Sequence, residues 1–325
     1  MTGMKTSTLK NLLRERIDSW LESIKDERVK ALAKRDTIVS GGAIASALGG
    51  EKINDYDIYF RTKETAEAIA IYYCGVFKDT VGERKAPNGR SVNPEVKIEA
   101  RTNCKGVSED RVIIYMKSAG VAGENQPTYE YFETSGEEEV DKFFASISEH
   151  KENPIETAEL ITVELKSKEK YRPLFLSENA ITLSDKIQLI VRFYGEPSAL
   201  HENYDFVHAM CYYDYDKHLL NCPAEALESI LSKSLVYGGS LYPIASLFRI
   251  RKFIARGWRI TAGQMLKIIF QVSKLDLEDT KVLREQLLGV DQAYMWQLIR
   301  AIENKDNAQR IDHTYLAKLI DEIFE

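Results

Sequence analysis

Ser40-Gly41-Gly42-Ala43-Ile44-Ala45-Ser46-Ala47-Leu48, followed by Asn54-Asp55-Tyr56-Asp57-Ile58-Tyr59-Phe60, is the stretch from which this chain is best read. A strand over Thr37 to Val39 runs into a paired-glycine turn and a short helix, and the next strand carries two aspartates one residue apart. Alternate side chains of a strand share a face, so Asp55 and Asp57 point one way while Tyr56 and Ile58 pack behind them. Two neighbouring carboxylates repel unless a cation lies between them, and hard oxygen ligands of this kind suit Mg²⁺. Glycines let backbone N–H groups approach a polyphosphate with no Cβ in the way. Asp-x-Asp alone is the pattern of a solvated strand face, and Gly-Gly alone is a turn. Their order, spacing and apolar frame together are the parts of a two-metal phosphoryl-transfer site.

These residues resemble the signature of the polymerase-β-type nucleotidyltransferase superfamily, most closely the head domain of bacterial-type CCA-adding enzymes and poly(A) polymerases. The family's Gly-Gly-to-Asp spacing is reproduced without a gap, including Leu48-Gly49. Asn203-Tyr204-Asp205-Phe206-Val207-His208-Ala209-Met210 resembles its Arg-Arg-Asp-Phe-Thr-Ile-Asn-Ala motif, and Pro243, Arg251 and Gly257-Trp258-Arg259-Ile260 resemble its neck-helix signature. The chain is also similar to nucleotidyltransferases encoded by tailed bacteriophages.

The resemblance implies an α+β fold, with a small mixed nucleotidyltransferase sheet flanked by helices and an all-helical C-terminal domain. It implies two Mg²⁺ ions, a nucleoside triphosphate and transfer of a nucleotide to a hydroxyl. A third carboxylate from a neighbouring strand completes the family's metal site. The strand Lys186 to Phe193 is placed to supply it but offers Gln188, which leaves Asp205 and Glu99 as candidates. Other family positions have changed. Arg-Asp after Gly-Gly-x-x is here Ala45-Ser46, two arginines before Asp205 are Asn203 and Tyr204, and the base-reading Glu-Asp-x-x-Arg motif is absent. The metal-binding half of the motif set persists and the base-reading half is eroded.

The chain divides into an N-terminal amphipathic helical segment (1–36), a head domain (37–235) with an acidic insertion at about 118–169, and a helical neck and C-terminal domain (236–325). Leu9 to Lys34 has a helical apolar period, broken near Lys25-Asp26, with Thr8 as a candidate cap. Lys63 to Phe77 reads as a helix, Lys78 to Pro94 as a polar loop, and Val96 to Asn103 and Arg111 to Lys117 as strands. The insertion reads as a helix over Glu139 to Glu149 and a strand over Glu159 to Leu165. Helices are expected over Pro223 to Lys233, Leu241 to Arg256, Ala262 to Val272, Lys281 to Leu288, Ala293 to Ile302 and His313 to Phe324. Arg249, Arg251, Lys252 and Arg256 make the second of these basic, a surface suited to phosphates.

A chain of 325 residues, 44% of them hydrophobic, can bury two or three cores. A formal net charge of −6 argues against blanket nucleic-acid affinity but not against a local basic groove. Four cysteines without Cys-x-x-Cys or framework spacing read as reduced thiols, and five scattered histidines give no zinc pattern. No run has membrane length and no signal peptide is read. The expected setting is the cytoplasm, that of the host if the chain is phage-encoded, and the oligomeric state is left open.

The expected reaction is Mg²⁺-dependent transfer of NMP from an NTP to a hydroxyl, first of all an RNA 3′ end of tRNA type. Asp55, Asp57 and Asp205 hold two Mg²⁺ about 4 Å apart. Ser40, Gly41 and Gly42 clamp the β and γ phosphates through backbone N–H groups. Asn179, Arg192, Arg249 and Arg251 complete the nucleotide site. Transfer to a protein or small molecule is the alternative favoured by the lost arginines. A non-catalytic descendant that binds nucleotide or a partner is a third.

Overall fold

The structure is a computed structural model that describes residues 3–81, 93–102, 108–116, 170–176, 179–202, 204–277, 279, 282 and 286. It divides into two units, one holding the described residues up to 202 together with Cys211–Cys222, the other those at 204–210 and from 223 onward.

The first unit begins with α1 (Thr6–Ser23), which buries Leu9, Leu13, Ile17, Trp20 and Leu21 along one face. Thr8 is not its cap. The helix opens two residues earlier after Lys5, which makes no side-chain cap bond, and Met4 N donates instead to Ala47 O at 2.9 Å. The break near Lys25-Asp26 has a defined cause: Asp26 accepts from the N–H groups of Arg28 and Val29 and so caps α2 (Glu27–Asp36).

The chain then enters β1 (Thr37–Ser40), turns through Gly41 into α3 (Gly42–Leu48), and returns as β2 (Tyr56–Phe60). The next helix, α4 (Lys63–Val81), runs past the expected end at Phe77. Among the described residues β3 (Pro94–Thr102) and β4 (Ser108–Met116) pair with each other, as an antiparallel hairpin outside the main sheet. β5 (Pro173–Leu176), β6 (Ala180–Leu183), β7 (Ile187–Tyr194), the short helix α5 (Pro197–His201), β8 (Tyr212–Asp214) and β9 (Leu219–Asn221) complete the unit. The seven-stranded sheet has the order β5-β6-β7-β2-β1-β8-β9. Its β2–β7 ladder is parallel and the other ladders are antiparallel, which makes the sheet mixed and the fold α+β.

The two faces of β2 have different fates. Ile58 and Phe60 are fully buried, and Trp20 of α1 lies 6.5 Å from Phe60 while its Nε1 donates to Tyr73 OH of α4 at 2.8 Å. Each large apolar side chain buried here contributes about 1.5–3 kcal/mol. The opposite face carries Asp57.

Asp36 fixes the α2–β1 junction. It is 2% exposed, receives two bonds of 2.8 Å from Arg35, and accepts from the hydroxyls of Thr62 and Thr65. Burial pushes its carboxyl up, but these donors outweigh burial and hold it at about 2, below the usual 3.8. Its contribution to stability is therefore present above pH 3.8 and lost as pH falls toward 2. Asp36→Asn is expected to lower unfolding free energy by about 2 kcal/mol at pH 7 and by much less near pH 2. Urea titrations at the two pH values measure the difference.

The second unit holds a 3₁₀ turn (Val207–Met210), α6 (Ala224–Ser232), β10 (Ser234–Leu235), α7 (Pro243–Ala255), β11 (Arg259–Ile260) and α8 (Ala262–Val272). Its described part is not wholly helical, which corrects the all-helical expectation. Gly257, at φ +80°, stops α7, and Arg259 N donates to Lys233 O at 2.8 Å, turning the chain into a parallel β10–β11 ladder. Phe206, His208, Tyr237, Phe253 and Trp258 form its aromatic core. Nearly all of 281–288 and all of 293–302, 313–324 and the insertion elements lie outside the described residues. Among the described residues no helix is long and apolar enough to cross a membrane.

Candidate active site

The sheet register lines up a polar row on the Asp57 face. Thr182 pairs with Gln188, Gln188 with Asp57, Asp57 with Ser40, Ser40 with Tyr212, and Tyr212 with Asn221. Register partners project to the same side of a sheet, so six strands converge on one strip of hydroxyl, amide and carboxylate groups. Asp57 lies at its middle, half-buried, and Asp55 is half-buried one residue before β2.

Gly41 sits directly against Asp57. It has φ +94° and ψ −149°, a region almost exclusive to glycine. A Cβ placed on it would lie 2.9 Å from Asp57 Oδ2. The first glycine of the pair is thus required by its own backbone, and its missing Cβ leaves the Asp57 carboxylate its place. Gly42 is exposed, and a Cβ there would meet no atom within 4 Å. Gly41→Ala is expected to lower stability by about 1–3 kcal/mol and to displace the Asp57 carboxylate. Gly42→Ala is expected to do neither; thermal melts of the pair test the contrast.

Ser40 is fully buried, and its hydroxyl donates to Cys211 O at 3.0 Å. Its oxygen lies 3.1 Å from His201 Nε2. Because the single hydroxyl proton goes to a carbonyl that can only accept, His201 donates from Nε2 to Ser40. Burial lowers the pKa of His201, so the ring is neutral at pH 7. Its ring packs 5.8 Å from that of Tyr212, whose hydroxyl accepts from Asn221 Nδ2 at 3.0 Å. His201 and Tyr212 carry no motif, and residue spacing did not single them out. Only the register of β1 with β8 and the placement of α5 after β7 bring them to the row.

The other expected site residues divide. Gln188, 3% exposed, occupies the register position beside Asp57 where the resemblance calls for a carboxylate. Asn179 acts through its backbone carbonyl, which accepts from Val191 N at 3.0 Å and Arg192 N at 3.2 Å. Arg192 is half-buried, its guanidinium 4.9 Å from the Phe193 ring. Glu99 is on β3, paired in register with Arg111. Asp205 belongs to the second unit, where Arg249 donates to it at 2.8 Å and its carbonyl accepts from Gly238 N at 2.9 Å. Arg251, on α7, is exposed beside a groove lined by Leu247, Ile250, Ile254, Met265 and Ile269.

Among the described residues no three His, Cys, Asp or Glu side chains are grouped to hold a metal ion. Asp55 and Asp57 nonetheless fit Mg²⁺, which takes one or two protein carboxylates and fills its remaining positions with water and substrate phosphates.

No curated protein and no solved structure matches the chain. A family model described as Gabija anti-defense 2 family protein matches residues 11–233, which takes in the whole polar row from Ser40 to Asn221. The chain therefore belongs to the Gabija anti-defense 2 family.

Proposed function

We propose that this chain counters Gabija as a Mg²⁺-dependent nucleotidyltransferase of the polymerase-β type, acting in the cytoplasm and transferring NMP from an NTP to an RNA 3′ hydroxyl. The family name supports the anti-defence role. One observation carries the chemistry: Gly41 lies against Asp57, a Cβ on it coming 2.9 Å from Asp57 Oδ2, where a glycine turn meets the strand that follows Asp55.

In this reading Asp55 and Asp57 hold Mg²⁺ together with the nucleotide phosphates. Bound Mg²⁺ supplies charge neutralisation at the phosphates and a lowered pKa for the attacking hydroxyl. The bare Gly41-Gly42 backbone admits the phosphate chain beside Asp57. The hydroxyl oxygen forms a bond to the α-phosphorus, the α–β bridging bond breaks, pyrophosphate leaves and the hydroxyl proton passes to solvent. His201, neutral, holds Ser40 and with it the end of β1 on which Gly41 turns. Positioning and charge stabilisation carry most of the rate.

Gln188 favours a second reading. An amide stands where the third carboxylate would be, which suits a chain that binds nucleotide or a partner without turnover. Incubation with Mg²⁺, each α-labelled NTP and total RNA or cell lysate separates these, with the Asp55→Asn/Asp57→Asn variant alongside. Label in an RNA size class that needs both aspartates supports the proposal, and label in a protein band moves the acceptor to protein. Absence of transfer, with a variant that still counters Gabija in cells, supports the binding reading and overturns the enzyme.

A further inference from the structure

We propose that Cys211 and Cys222 form a reversible cross-strand disulfide that clasps the β8–β9 hairpin. The hairpin register pairs Tyr212 with Asn221, and continued one position past the end of each strand it sets Cys211 opposite Cys222. Residues directly opposite in an antiparallel ladder have Cα atoms about 4.5–5.5 Å apart. A disulfide needs about 4.4–6.8 Å. Both are free thiols here, and their side chains interact.

Their environments assign the roles. Cys211 is fully buried, whereas Cys222 is partly exposed and reachable by a small oxidant. Interaction with Cys211 lowers the Cys222 pKa, and the same interaction, with burial, raises that of Cys211. Cys222 is therefore the attacking thiolate and Cys211 the resolving thiol. With a low-molecular-weight disulfide as oxidant, the Cys222 sulfur forms a mixed disulfide and expels one small thiolate. That thiolate takes the Cys211 proton, and the Cys211 sulfur then attacks the Cys222 sulfur and expels the second. Two protein thiols are oxidised and one small disulfide is reduced to two thiols. Cys74, fully enclosed in α4 and with its thiol pKa raised to about 12 by burial, stays out of the exchange.

The carbonyl of Cys211 is the acceptor of the Ser40 hydroxyl, so the clasp would lie one hydrogen bond from the polar row. The proposal is independent of what that row catalyses, and its test reads mass rather than activity. The full-length reduced protein is equilibrated with oxidised and reduced glutathione over a range of ratios, acid-quenched, alkylated and digested with trypsin. Lys217 lies between the two cysteines, so cleavage there leaves them on separate peptides. The expected result is a pair of peptides joined through Cys211 and Cys222, about 2 Da lighter than their reduced sum, lost on reduction and absent from Cys222→Ser. Alkylation of both cysteines at every ratio, a persistent glutathione adduct on Cys222, or a bridge to Cys74 or Cys104 would overturn it.

Discussion

The Asp57→Asn variant is expected to lose nucleotidyl transfer by about three orders of magnitude while its fold is kept. Asparagine preserves the shape of the side chain and its place between Ser40 and Gln188 in the row. What disappears is the negative charge that, in the proposed reaction, would balance a cation. Because the substitution also removes a half-buried negative charge, stability should hold or rise by about 0.5–1 kcal/mol. Single-turnover rates and urea melts measured on one preparation give both quantities. A variant that transfers at the wild-type rate would remove Asp57 from the chemistry. One that loses transfer only because it unfolds would make it a structural residue.

The largest stability effect is expected at Trp20. Its ring is fully buried against Phe60 and its Nε1 donates to Tyr73 OH, which is itself enclosed. Trp20→Ala should cost about 3–5 kcal/mol through the cavity, and a further 1–3 kcal/mol, roughly, from stranding the Tyr73 hydroxyl. Since a typical domain has only about 5–15 kcal/mol in hand, this variant should be largely unfolded at 37 °C. Tyr73→Phe removes the same hydrogen bond while keeping the packing and should cost about 1 kcal/mol. Equal losses in the two variants by urea denaturation would show that the bond, not the packing, joins α1 to α4.

How much could be read in advance follows from the range of each contact. Gly41 and Asp57 meet across a short β1–α3–β2 connection, so their meeting is encoded in local spacing. β7 was legible as a strand with Gln188 on it, because its continuous run of apolar residues marks a buried strand. His201, Tyr212 and Asn221 were not legible as site residues. They arrive on a five-residue helix and two three-residue strands, too short to display a period, and their partners lie far away in sequence. Asp205 matched a motif, but a motif does not encode the Arg249 carboxylate pair that the second unit makes of it. The start of α1 escaped for a similar reason. A tertiary backbone bond from Met4 to Ala47 ties that end down, and no capping side chain advertises it.

The parallel pairing of β2 with β7 has a consequence in time. A ribosome adds about 5–20 residues per second, so Gln188 emerges roughly ten seconds after the Asp57 it must flank. During that interval the β1–β2 hairpin can close, but its outer edge has no neighbour and the strip from Thr182 to Asn221 does not exist. The nascent chain thus passes through a stage in which both aspartates are present before the polar row is complete. Whatever activity the polar row confers is switched on by the arrival of β7 and β8, when more than half the chain has already been made.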